Sequence, residues 1–228
     1  MNTMIHQAYH GGNYIRKKHD MIKARHNPFF VKFFRFYSKF MIHQHFHKVI
    51  IKGGYTERNL PILLIANHFS WWDGFVANYL NNIMFKREFH VMMLEEQLTQ
   101  RMFLNKAGVF SIKKKSRDIV DSLNYTKELL TNPQNMVVIY PQGEIQSLYH
   151  YPVQFEKGIS SIFGKLQPEN VQVVFLATLV DYFSHRKPSL TLALADYNTE
   201  QFVSMKDMED AYNQHLKNMI NQQKPDME

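Results

Sequence analysis

Pro61-Ile62-Leu63-Leu64-Ile65-Ala66-Asn67-His68-Phe69-Ser70-Trp71-Trp72-Asp73-Gly74 is the stretch on which the reading of this sequence turns. Its first half is an unbroken apolar run of strand length. It does not alternate, as expected of a strand covered on both faces. Its second half places a histidine just past the strand end and a carboxylate five positions later, where a helix begins. In open α/β sheets, active sites gather at the carboxyl ends of strands. An aspartate bonded to one imidazole nitrogen fixes the tautomer and leaves the other nitrogen free to take a proton from a hydroxyl. A plainer arrangement has the same spacing, with Asp73 capping a helix and His68 sitting in a turn.

Further short apolar runs repeat on both sides of this stretch. They predict strands at 46 to 51, 61 to 66, 89 to 94, 109 to 112, 136 to 140, 171 to 178 and 190 to 195. Helical patterns fall near 73 to 83, 95 to 106, 117 to 131 and 156 to 165, with a further polar helix from Ser204 to Gln222. This alternation predicts an α/β fold, a single domain with a largely parallel sheet flanked by helices. The expected divisions are an N-terminal segment over 1–45, an α/β domain over 46–203, and a C-terminal helix and tail over 204–228.

The N-terminal segment is basic and aromatic. Phe29, Phe30, Phe33, Phe34, Phe36, Tyr37 and Phe40 follow Pro28, with Lys32, Arg35 and Lys39 spaced by three and four. That pattern predicts an amphipathic helix with proline at its start. Such a helix either lies in the headgroup region of an anionic membrane, rings inward and cations on phosphate, or packs on the domain's own core.

Composition narrows the function classes. The 228 residues carry a formal net charge of +7, which implies an acidic partner. No nucleic-acid partner is expected, because the basic residues are scattered and no binding motif of that kind is present. The chain has no cysteine, which excludes disulfides and thiolate catalysis. Residues 1–20 lack the apolar core of a signal peptide. No apolar run approaches the roughly 20 residues of a transmembrane helix. His43, His45 and His47 alternate and on a strand would share one face, but no fourth ligand stands near them, and no metal is expected.

Asn67-His68-x-Ser70-x-x-Asp73, a His-x4-Asp arrangement after an apolar strand, resembles the first motif of the glycerolipid acyltransferases, the family containing 1-acylglycerol-3-phosphate acyltransferase. Gly108-Val109-Phe110-Ser111-Ile112-Lys113 is similar to that family's second motif, and Tyr140-Pro141-Gln142-Gly143 to its third. The similarity runs from about residue 46 to 200. It implies transfer of an acyl chain from acyl-CoA or acyl carrier protein to a lipid hydroxyl, with His68 as general base, Asp73 as its partner and no cofactor. It also implies substrate contacts from Asn67, Ser70, Lys113, Lys114, Lys115, Gln142, Gly143 and Glu144. The expected location is peripheral, at the cytoplasmic face of a membrane whose anionic surface and lipid acceptor are the partners.

The sequence departs from the family where a phosphate would be held. Lys113 replaces an arginine, keeping the charge and losing the bidentate fork. Gln142 replaces a glutamate, and Ile145 replaces an arginine. These changes point to an acceptor other than a simple glycerol phosphate.

Overall fold

The computed structural model describes residues 21–113, 119–163 and 168–224. Seven strands form one sheet: β1 (Lys48–Gly53), β2 (Ile62–Ala66), β3 (Glu88–Leu94), β4 (Val109–Ile112), β5 (Asn135–Ile139), β6 (Gln172–Asp181) and β7 (Ser189–Tyr197), in the spatial order β1-β7-β6-β2-β5-β3-β4. Each of the seven lies where an apolar run predicts it. The five strands from β6 to β4 run parallel. β7 returns antiparallel to β6, and β1 pairs parallel with β7. The parallel block puts the carboxyl ends of β2, β5, β3 and β4 on one edge, where the first and third motifs meet.

Both faces of the sheet are covered, which is why β2 is apolar at every position, β5 at every position after Asn135, and both are buried throughout. On one face Leu63, Ile65, Val137 and Phe175 pack with α4 (Ile119–Leu129), α5 (Ser160–Phe163) and α6 (Met205–Asn221). On the other, Ile62, Leu64, Val138 and Leu176 pack with α1 (Pro28–His45), α2 (Asp73–Leu80) and α3 (Glu95–Thr99). The C-terminal helix is no appendage: α6 buries Met208, Tyr212 and Leu216 in the first of these cores.

α1 starts as the sequence predicts, with Pro28 in its first turn and the Asn27 side chain accepting from the Phe29 N–H at 3.0 Å. It also settles how the helix packs. Phe34, Ser38 and Ile42 are buried, while Phe29, Phe33, Phe36 and Phe40 are exposed. At 100° per residue these four rings form a stripe opposite the buried face. The helix therefore packs on the domain and also presents an exposed aromatic ridge. No described helix is long and apolar enough to cross a membrane.

The alternating histidines do not form a strand face. α1 runs on to His45 and β1 begins only at Lys48, so His43 and His45 are helical. His43 packs on Tyr79, His45 on Trp72 and His47 on His185, which separates the three.

Candidate active site

Beyond β2 the chain turns through residues 67 to 72 into α2, and this turn is held by its own side chains. Asn67 is buried and faces the protein interior. Its amide donates to the Thr178 carbonyl at 2.9 Å and accepts from the Thr178 N–H at 2.8 Å, which ties the loop to β6. The Tyr212 hydroxyl, brought by α6, donates to the Leu176 carbonyl beside this pair at 3.0 Å. Ser70 Oγ accepts from the Trp72 N–H at 3.1 Å, a short serine turn that aims Asp73 back at the loop.

His68 and Asp73 meet. His68 Nδ1 lies 2.6 Å from Asp73 Oδ2, and the same oxygen accepts the N–H groups of Phe69 and Ser70 at 2.8 and 2.9 Å. Asp73 is therefore not a helix cap: its bonds run to the preceding loop and the imidazole, and it caps no N–H of α2. The carboxyl is only 4% exposed, and burial pushes its pKa above the ordinary value, against the pull of His68 and the two backbone donors. Oδ2 can only accept from Nδ1–H, so the pairing fixes the tautomer and leaves the lone pair on Nε2.

Two further contacts hold the imidazole. The Tyr140 ring stacks on it with centroids 4.4 Å apart. The Tyr140 hydroxyl is buried without a hydrogen-bond partner, and desolvation raises its pKa well above the usual tyrosine value. Gln142, also buried, accepts the His68 backbone N–H on Oε1 and donates from Nε2 to Gln146 Oε1 at 2.9 Å. The Gln146 N–H in turn donates to the His68 carbonyl at 2.9 Å, so the loops after β2 and β5 are joined in both directions.

The residues predicted to contact substrate thus divide. Asn67, Ser70 and Gln142 are turned onto the protein itself. Gly143 adopts φ +66°, where a Cβ would press on Glu156, and with Glu144 and Ile145 it lines a cavity that opens at His68. Lys113 stands at the end of β4, three strands from β2, roughly 14 Å away at 4.8 Å per strand. There it pairs with Glu95 at 3.3 Å. Lys114 and Lys115 lie outside the described residues. Tyr140, Gln146, Thr178 and Tyr212 are the supporting residues that the sequence reading missed. Tyr140 stands inside the third motif and was open to discovery; the other three carry no local signal.

The cavity has a volume of about 1030 Å³. It is mostly apolar, walled by residues such as Phe75, Val91, Leu94, Leu104 and Val109, and both His68 and, at the other end of β3, His26 and Glu88 lie in its lining. That places it at the upper limit of ordinary ligand pockets, which run to about 1,000 Å³.

Comparison with known proteins fits this geometry. Among solved structures, the 1-acyl-sn-glycerophosphate (LPA) acyltransferase PlsC from Thermotoga maritima shares the fold, with a TM-score of 0.56 and 13% sequence identity over 85% of this chain and 80% of that one. No curated protein sequence matches this one. The sequence model of the Acyltransferase family matches residues 48–177, a span that includes β2, the His68–Asp73 loop and Tyr140-Pro141-Gln142-Gly143. On that match, over more than half its length, the chain belongs to the Acyltransferase family.

Proposed function

We propose that this protein moves a fatty acyl chain from a thioester, acyl-CoA or acyl carrier protein, to a hydroxyl of a lysophospholipid or related lipid at a membrane surface. The observation that carries this reading is the 2.6 Å His68–Asp73 pair opening onto a large apolar cavity. The acceptor hydroxyl donates its proton to His68 Nε2 as its oxygen attacks the thioester carbonyl. The resulting imidazolium is held by the buried Asp73 carboxylate. Collapse of the tetrahedral intermediate breaks the C–S bond, and His68 returns the proton to the departing thiolate. No enzyme nucleophile is needed, in keeping with a chain that has no cysteine.

The apolar cavity suits an acyl chain, and the exposed ring stripe of α1 suits the interfacial layer of an anionic membrane. The two features adjoin: Phe33 stacks on Tyr37, Tyr37 packs on Phe75, and Phe75 packs on Trp71 beside the His68 loop. A lipid acceptor could then reach His68 without leaving the interface. Replacement of the family's phosphate-site arginine by Ile145, which is exposed at the cavity, favours an acceptor with a larger or less anionic headgroup than glycerol phosphate.

The test is the purified protein and its His68→Ala variant, offered labelled acyl-CoA or acyl carrier protein with a panel of lysolipids and lipid alcohols. Products are read by mass spectrometry. The expected result is an acylated lipid from the native protein and none from the variant, with both binding liposomes equally. Equal turnover by the variant refutes the mechanism. Liposome binding without turnover by the native protein would instead identify a catalytically silent lipid-binding member of the family.

A further inference from the structure

At the opposite end of β3 from the catalytic edge, three potential ligands converge from two distant parts of the chain. Residues 21 to 27 run beside β4 and the turn that precedes it: the Ile22 N–H donates to Ser111 Oγ, the Ser111 N–H to the Ile22 carbonyl, and the Asn27 N–H to the Lys106 carbonyl. This path delivers His26 to Glu88 and His90, which share one face of β3. One ligand atom from each residue can be chosen so that all three lie within 4.8 Å of one another.

The donor atoms of these residues are arranged so that a metal ion can join them. His26 Nε2 lies 2.9 Å from the Phe89 carbonyl, an atom that can only accept, so Nε2 carries the hydrogen. Nδ1 then faces Glu88 Oε1, 2.9 Å away, a contact completed either by a proton on Nδ1 or by a metal ion held between the two atoms. His90 supplies the independent observation. It is only 3% exposed, its ring meets that of His26 edge-on at 4.7 Å, and among the described residues its nitrogens make no well-formed hydrogen bond, the Asn135 side chain being a polar neighbour that can serve one of them and leave the other for a metal.

We propose that His26 Nδ1, a Glu88 carboxylate oxygen and one ring nitrogen of His90 bind a divalent transition-metal ion of the zinc class. Two imidazoles and a carboxylate are a common zinc donor set, and solvent at the exposed Glu88 side supplies the fourth position. Tetrahedral ligands about 2.0 Å from zinc stand about 3.3 Å apart, so the widest pair closes by roughly 1.5 Å, within the reach of side-chain rotation. The Phe89 carbonyl acts as the outer partner that orients His26, as such carbonyls do for metal-bound histidines. Gly108 leaves room for it: a Cβ there would fall 2.6 Å from His26 Nε2 and closer still to the Phe89 oxygen.

This ion would not take part in acyl transfer. His90 pairs across the sheet with Val137, and Val137 with Leu63, five residues before His68. That is roughly 16 Å along the strand direction at 3.3 Å per residue. The ion's role is to clamp the 21–27 segment to the sheet edge and so to fix the start of α1.

The experiment uses the full-length protein, stripped with a chelator and titrated calorimetrically with zinc chloride, with magnesium chloride as control. The expected result is one zinc per chain at micromolar Kd or tighter, little response to magnesium, and a Tm rise of roughly 5–10 °C at a hundredfold excess of zinc over its Kd. Glu88→Gln, at an exposed position that leaves the core intact, weakens zinc binding at least tenfold, and so does His90→Ala if it folds. His185→Ala, which breaks up the stacked His47–His185 pair, leaves binding unchanged. Absence of stoichiometric zinc uptake overturns the proposal, and a protonated His26 then completes the pair with Glu88. Uptake that survives Glu88→Gln but is lost in His185→Ala overturns it equally.

Discussion

Replacing Gln142 by alanine separates a residue that positions the catalytic base from one that binds substrate. In the native protein Gln142 is buried, accepts the His68 N–H and donates to Gln146. Alanine leaves that N–H and the Gln146 side-chain Oε1 without these partners in a part-buried loop. Stranding such a group costs about 1–3 kcal/mol. For a chain of this size that corresponds to a Tm lowered by between a few and about 10 °C. The effect on chemistry is larger, because a misplacement near 1 Å can cost about a hundredfold. The expected result is a kcat reduced about 10- to 100-fold with KM for both substrates little changed, read from thiol release with acyl-CoA and a lipid acceptor the enzyme accepts. Gln142→Glu keeps the acceptor for His68 N–H but loses the donor to Gln146, so it recovers part of the lost rate. A raised acceptor KM with kcat intact refutes this reasoning and makes Gln142 a substrate contact.

Asp73→Asn removes the charge that holds the imidazolium and is expected to lower the rate about 10²- to 10⁴-fold. Burial raises the native carboxyl pKa, so its ionised form costs stability at every pH above its ordinary value. The variant should therefore melt no lower than the native protein at pH 7, and a marked fall in Tm would contradict that sign. Phe29→Ser with Phe36→Ser removes two rings that are 72% and 71% exposed. This should weaken sedimentation with anionic vesicles at least tenfold while leaving the fold intact, and unchanged sedimentation would place the membrane contact elsewhere. His215 is partly buried against the Ala193 carbonyl, and desolvation lowers its pKa. The unfolded chain therefore takes up a proton that the folded one resists as pH falls below about 6.5, and stability is lost in that direction. His215→Gln should flatten that part of the Tm-versus-pH curve; an unaltered slope would assign the effect to another group.

Features set by local pattern were legible before the structure. β2 and β5 announce themselves as uninterrupted apolar runs, α1 by Asn27-Pro28 and its spaced aromatics, and the His68–Asp73 pair by one turn of chain. Features set by distant pairing were not. Asn67 reads as a site residue because it stands beside His68, yet its amide is taken up by Thr178, 111 positions away. Lys113 reads as a phosphate ligand until β3 brings Glu95 to it. Gln146 and Tyr212 belong to no motif, and only the meeting of loops and the return of α6 give them work. The histidines reverse the lesson: three that alternate in sequence scatter in space, whereas His26 and His90, 64 positions apart, come together.

The reversed direction of β7 and β1 bears on how the chain is made. β1 is an edge strand whose sheet neighbour is β7, so residues 48–53 leave the ribosome with no strand to join until residues 189–197 have followed. Tyr212, which fastens β6 beside the Asn67 anchor, emerges later still. The N-terminal two thirds of the nascent chain must therefore carry its apolar strands and its aromatic helix incompletely covered through most of synthesis. A chaperone or a membrane surface would have its longest opportunity to act during that interval, and a ribosome stalled before residue 212 would display the His68 loop without its final brace.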